Sequence, residues 1–123
     1  MNSHIPWLAY EPIRETTGQH PCDARQPISV QKVSYEHIDF SLIKSDTDDL
    51  YSIFEDRREP FDHVAMRGRE FLEFLASRQE SEVLVVTHSS WLKTFYLNGM
   101  WQYNISSSKI FLFLTSSVIH VST

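Results

Sequence analysis

The clearest pattern in the chain is a 3.6-residue repeat in which Phe61, Val64, Ala65, Phe71, Leu72 and Leu75 share one stripe, with polar residues between them. This spacing predicts a helix over residues 60–78. Pro60 suits its first turn, where an N–H has no intrahelical partner to lose. The run Glu82-Val83-Leu84-Val85-Val86-Thr87-His88 then drops that period for continuous apolar, largely β-branched residues. Lacking alternation, it reads as a strand buried on both faces of a parallel sheet. Ser89 and Ser90 offer N-cap oxygens to a second apolar helix over 91–97, which Asn98-Gly99 closes. Helix, buried strand, helix is the order of elements in a doubly wound α/β sheet.

The first half is less regular. Pro6, Pro12, Pro21 and Pro27 remove backbone donors and bias the residues before them away from helix. A strand over residues 5–10 is predicted there, then a loop that turns at Thr17-Gly18 and runs to Pro27. Ser45-Asp46-Thr47 supplies cap chemistry to a helix with apolar positions Leu50, Ile53 and Phe54. No internal repeat is visible.

With 41% hydrophobic residues in 123, the chain can bury a core, but only one of single-domain size. Its net charge of −5 argues against a nucleic-acid surface, which needs excess lysine and arginine to neutralise phosphates. Residues 36–62 carry nine acids against three bases, whereas none of the 41 positions after Glu82 is acidic. The apolar stretch 110–121 is broken by Thr115, Ser116, Ser117 and His120, so no membrane anchor is expected. A lone Cys22 closes no intrachain disulfide, and His4, Pro6 and Glu11 interrupt the apolar run that a secretion signal needs. The expected compartment is the cytoplasm. Nothing in the composition sets an oligomeric state.

Ligands of open α/β sheets bind beyond the carboxyl ends of the strands, and His88 ends the predicted strand just before a helix N-terminus that favours anions. It is either a phosphoryl ligand or proton carrier, or a histidine that satisfies its own hydrogen bonds at a strand end. Glu15, beside Arg14 in a loop after a predicted strand, is either a second site residue or half of a surface ion pair. His20-Pro21-Cys22-Asp23 groups possible metal ligands, but no second ligand pair exists elsewhere, and no metal is expected. Nothing shows how Cys22 would be activated as a nucleophile, and the serines after His88 lack a Gly-x-Ser-x-Gly elbow. Asn104-Ile105-Ser106 fits the glycosylation triplet by chance.

Several motifs then occur in order. They are the run from Ile5 through Glu11-Pro12-Ile13-Arg14-Glu15-Thr16-Thr17 to Gly18, His20-Pro21-Cys22-Asp23-Ala24-Arg25, Pro27-Ile28-Ser29, His37-Ile38-Asp39-Phe40-Ser41-Leu42-Ile43, Arg58-Glu59, Arg67-Gly68 with Phe71-Leu72 and Leu75, and Val85-Val86-Thr87-His88-Ser89. This ordered set, covering residues 5–98, resembles the phosphoglycerate mutase-like branch of the histidine phosphatase superfamily. The resemblance implies an α/β fold with a three-layer α/β/α, doubly wound, mainly parallel sheet, here incomplete. It also implies hydrolysis of a small-molecule phosphate ester through a phosphohistidine, without a cofactor. In that family the nucleophile stands in an Arg-His-Gly motif on the first strand, which this chain does not contain. By the same resemblance, Glu15 is the acid for the leaving oxygen, and His88 is the second histidine. His88 and Ser89 hold the phosphoryl group.

Residues 1–101 then constitute a partial phosphatase-like domain and 102–123 a divergent serine-rich tail. The alternative is a non-catalytic pseudoenzyme or anion-binding fragment. Two structural expectations follow. Glu15 and His88 open onto one end of a single parallel sheet built from residues 5–10 and 82–88. The run 83–86 leaves an apolar edge or face exposed where the absent first strand would pack.

Overall fold

The computed structural model describes residues 5–80, 82–97 and 110–115. The chain divides into two compact units, Met1–Glu11 with Thr17–Arg58, and Pro12–Thr16 with Glu59–Thr123.

In the first unit, strand β1 (Trp7–Leu8) pairs in parallel with β2 (Ile38–Asp39). Helix α1 (Ile28–Ser34) precedes β2, and the five-residue α2 (Asp49–Ile53) follows it. Single 3-10 turns lie at Glu11–Ile13 and Pro21–Asp23. The cap foreseen at Ser45-Asp46-Thr47 is shifted by one residue. Asp48 is the N-cap of α2, its carboxylate accepting from the Tyr51 N–H at 3.0 Å, while Asp46 accepts from the Ser29 N–H at 2.7 Å in the first turn of α1. Of the predicted α2 stripe only Phe54 is buried, and Ile53 is exposed. Helix α1 escapes the apolar pattern because Ile28 is its only buried residue.

The turn at Thr17-Gly18 is confirmed. Gly18 has a φ of +95°, and a Cβ there would collide with the carbonyl oxygens of Arg57 and Phe54. Its own carbonyl accepts from Arg58 Nη1 at 2.9 Å. Gly18→Ala is therefore expected to lower stability by about 1–3 kcal/mol, read as a lower urea midpoint, because both the φ and the space exclude a side chain. A midpoint unchanged from the parent would contradict this.

The second unit holds the strongest elements. Helix α3 (Phe61–Ser77) starts after Pro60, strand β3 covers Glu82–Thr87, helix α4 covers Ser89–Leu97, and strand β4 covers Ile110–Thr115. β3 and β4 are parallel and paired from Glu82 with Ile110 to Thr87 with Thr115, so α4 lies between two parallel strands in sequence, a β-α-β order. β4 falls within the segment read above as a divergent tail, and Asn98-Gly99 lies outside the described residues.

The core is formed by Val64, Ala65, Phe71, Leu72 and Leu75 of α3, Val85 of β3, and Trp91 and Phe95 of α4. Trp91 stacks on Phe95 at 5.2 Å and meets Phe71 edge-on at 5.5 Å between ring centroids. Phe61, assigned to the apolar stripe, is exposed at the start of the helix.

Two expectations about the strands need correction. β3 is not buried on both faces: Val85 and Thr87 are buried, while Leu84 and Val86 on the other face are 44% and 48% exposed. This matches the exposed apolar face expected for 83–86. Nor do residues 5–10 and 82–88 share a sheet, because the strand in the first segment is only two residues long and pairs with β2, while β3 pairs with β4. What is observed is an α/β chain with two small parallel sheets among the described residues. None of its described helices is long and apolar enough to cross a membrane.

Candidate functional site

His88 follows the last residue of β3 and precedes α4, and its carbonyl accepts the Leu92 N–H at 3.0 Å. It therefore stands where an N-cap residue stands. Ser89 and Ser90, expected as caps, are instead the first two helical residues and are exposed. The first-turn donors are satisfied from a distant part of the chain. Glu15 accepts from the Trp91 N–H through Oε1 at 2.8 Å and from the Ser90 N–H through Oε2 at 3.2 Å. Oε1 also accepts from the Thr16 N–H at 3.0 Å. A carboxylate is well placed there, since unpaired N–H groups and the positive dipole end of a helix attract anions, typically by about 0.3–1 kcal/mol. The Glu15 carboxylate thus lies on the first turn of the helix that follows His88, and the sheet that ends there is not the one anticipated.

The loop carrying Glu15 is held by its backbone. Arg67 of α3 is 4% exposed and donates through Nη1 to the carbonyls of Pro12 and Arg14, both at 2.8 Å, and through Nη2 to that of Glu15 at 3.4 Å. Thr87, the last residue of β3, donates its hydroxyl to the Ile13 carbonyl at 2.6 Å. Arg67 is held in turn by Glu59, whose side chain is fully buried and whose two carboxylate oxygens accept from Nε at 2.8 Å and Nη2 at 2.7 Å. His63 Nδ1 lies 2.5 Å from the same carboxylate.

Glu59, Arg67 and Thr87 were given no role from the sequence. The available signal was a charged residue on the buried stripe of α3: Arg67 lies three residues after Val64 and four before Phe71, where an apolar side chain is the norm.

The remaining candidates belong to the first unit. Asp23 pairs with Arg58 Nη1 at 2.5 Å, and Cys22 is an exposed free thiol. Among the described residues no group of three or more His, Cys, Asp or Glu is arranged to hold a metal ion.

The carboxyl end of β3 thus carries His88, the first turn of α4 and a carboxylate brought to that turn from a loop 75 residues away. The chain is 42% identical over 87 residues to a phosphoglycerate mutase-like protein of Arabidopsis thaliana, covering 71% of this chain and 31% of the relative. It is also 42% identical over 87 residues to phosphoglycerate mutase-like protein 1 of the same plant, covering 71% of this chain and 30% of that one. Phosphoglycerate mutase-like protein 2 matches at 44% over 75 residues, 61% of this chain and 21% of that protein. These similarities support the phosphoglycerate mutase-like branch of the histidine phosphatases that the motifs resemble. It spans less than a third of the length of the curated relatives it matches. No family model matches the chain. No solved structure matches it.

Proposed function

We propose that the chain carries the second-histidine half of a phosphatase that hydrolyses a small-molecule phosphate monoester through a phosphohistidine, within a three-layer, doubly wound α/β/α domain that continues beyond these residues. The observation that supports this reading is the Glu15 carboxylate on the Ser90 and Trp91 N–H groups, in the first turn of the helix that follows His88. In this reading His88 and the Ser89 N–H bind the phosphoryl oxygens as charge develops on them, and a protonated Glu15 gives its proton to the leaving oxygen. The nucleophile is a histidine outside the 123 residues, since no Arg-His-Gly occurs within them. Residues 1–101 form the partial catalytic domain and 102–123 its tail, and the protein works in the cytoplasm.

An aryl phosphate assay without added metal tests this. The 123-residue chain alone is expected to be inert, because without the nucleophile the phosphoryl group has no acceptor. A chain extended to include an Arg-His-Gly strand is expected to turn over, and His88→Ala to reduce its kcat by about 10²–10³-fold. Turnover by the 123-residue chain itself, or an inert extended chain, would sink the proposal.

A further inference from the structure

We infer that Arg67, oriented by Glu59 and assisted by Thr87, is a positioning residue that holds the Glu15 carboxylate at the N-terminus of α4. The inference rests on the proposed role of Glu15 in that site.

Arg67 uses all five of its N–H donors. Two bind the Glu59 carboxylate and three bind the carbonyls of residues 12, 14 and 15. Thr87 takes the carbonyl of residue 13, so four consecutive carbonyls are tied to α3 and β3. A backbone held at four successive points leaves the Cα of Glu15 little freedom, and the side chain then needs only its own rotamers to reach Ser90 and Trp91. Glu59 fixes the plane of the guanidinium, because a two-pronged carboxylate contact admits one orientation. In that orientation the remaining N–H groups point at the loop. Lysine, a point charge with three donors, cannot hold the carboxylate and three carbonyls together.

Backbone amide exchange in the 123-residue chain, followed by NMR, separates positioning from a merely structural role. The Ser90 and Trp91 amides donate to Glu15, whereas the Leu92 amide donates to the His88 carbonyl within the helix and serves as the internal reference. In Arg67→Lys the Ser90 and Trp91 amides are expected to exchange about tenfold faster relative to Leu92. Equal acceleration of all three amides, or of none, overturns the inference.

If Arg67→Lys does not fold, Thr87→Val provides the second reading. Freeing only the Ile13 carbonyl should accelerate the same two amides about threefold against Leu92, and Thr87→Ser should restore the parent ratio. An unchanged ratio in Thr87→Val overturns the clamp. The functional reading fails separately: if inorganic phosphate leaves the His88 ring signals of the parent chain unmoved, that reading falls, while the amide ratio still decides the clamp.

Discussion

Arg67→Met is expected to destabilise the chain by about 3–5 kcal/mol, seen as a lower urea midpoint by circular dichroism, because it strands a buried charge. Methionine fills most of the volume of the arginine stem, so the loss is not one of packing. It comes from the Glu59 carboxylate, fully buried and deprived of two donors, and from three loop carbonyls that lose theirs. The pair Glu59→Leu with Arg67→Met removes the stranded carboxylate as well. Buried ion pairs replaced in full by apolar residues are often neutral, but here the carbonyls of residues 12, 14 and 15 would remain without Arg67. The double variant should thus recover part of the loss and fall short of the parent. A double variant as stable as the parent would mean that those carbonyl contacts contribute nothing.

Trp91→Ala should cost a similar amount, about 3–5 kcal/mol, since it removes the largest fully buried side chain and leaves a cavity between Phe71 and Phe95. The informative partner is Trp91→Phe. The indole N–H is buried without a hydrogen-bond partner among the described residues, so losing it forfeits no bond, while the smaller ring keeps most of the aromatic packing. Trp91→Phe is expected to stay within about 1.5 kcal/mol of the parent. If urea midpoints show the two variants equally destabilised, the indole N–H is bonded in solution.

The parts of the fold legible in the sequence are those in which one local rule dominates. Helix α3 has an apolar stripe several turns long, and β3 has β-branched residues in series, so both were placed within a residue or two of their observed ends. Gly18 was legible as a turn because the dipeptide has a steric reason. Helix α1 was not, since it buries a single side chain and is capped by Asp46, far along the chain. The alternating burial of β3 was hidden as well. A run with valine or leucine at every position looks the same whether one face is covered or two, and only its neighbours decide.

The site divides along the same line. His88 is placed by the strand that precedes it, and the family motif puts Glu15 at the same site, but the contact of Glu15 with the Ser90 and Trp91 amides is not legible, because it joins residues 75 and 76 positions apart. Arg67 was visible as an anomaly on an apolar stripe, but what it holds is backbone, which carries no residue-type signal.

That reach along the chain also has a consequence in time. At about 5–20 residues per second of synthesis, the 75-residue separation between Glu15 and Ser90 means that the acid leaves the ribosome about 4–15 s before its helix exists. Until α3 and β3 are made, residues 12–15 have neither Arg67 nor Thr87 to bind their carbonyls, and water must satisfy them. The site is therefore assembled by late closure of an early segment, and ribosome-bound chains stalled before residue 67 should leave that segment open to protease.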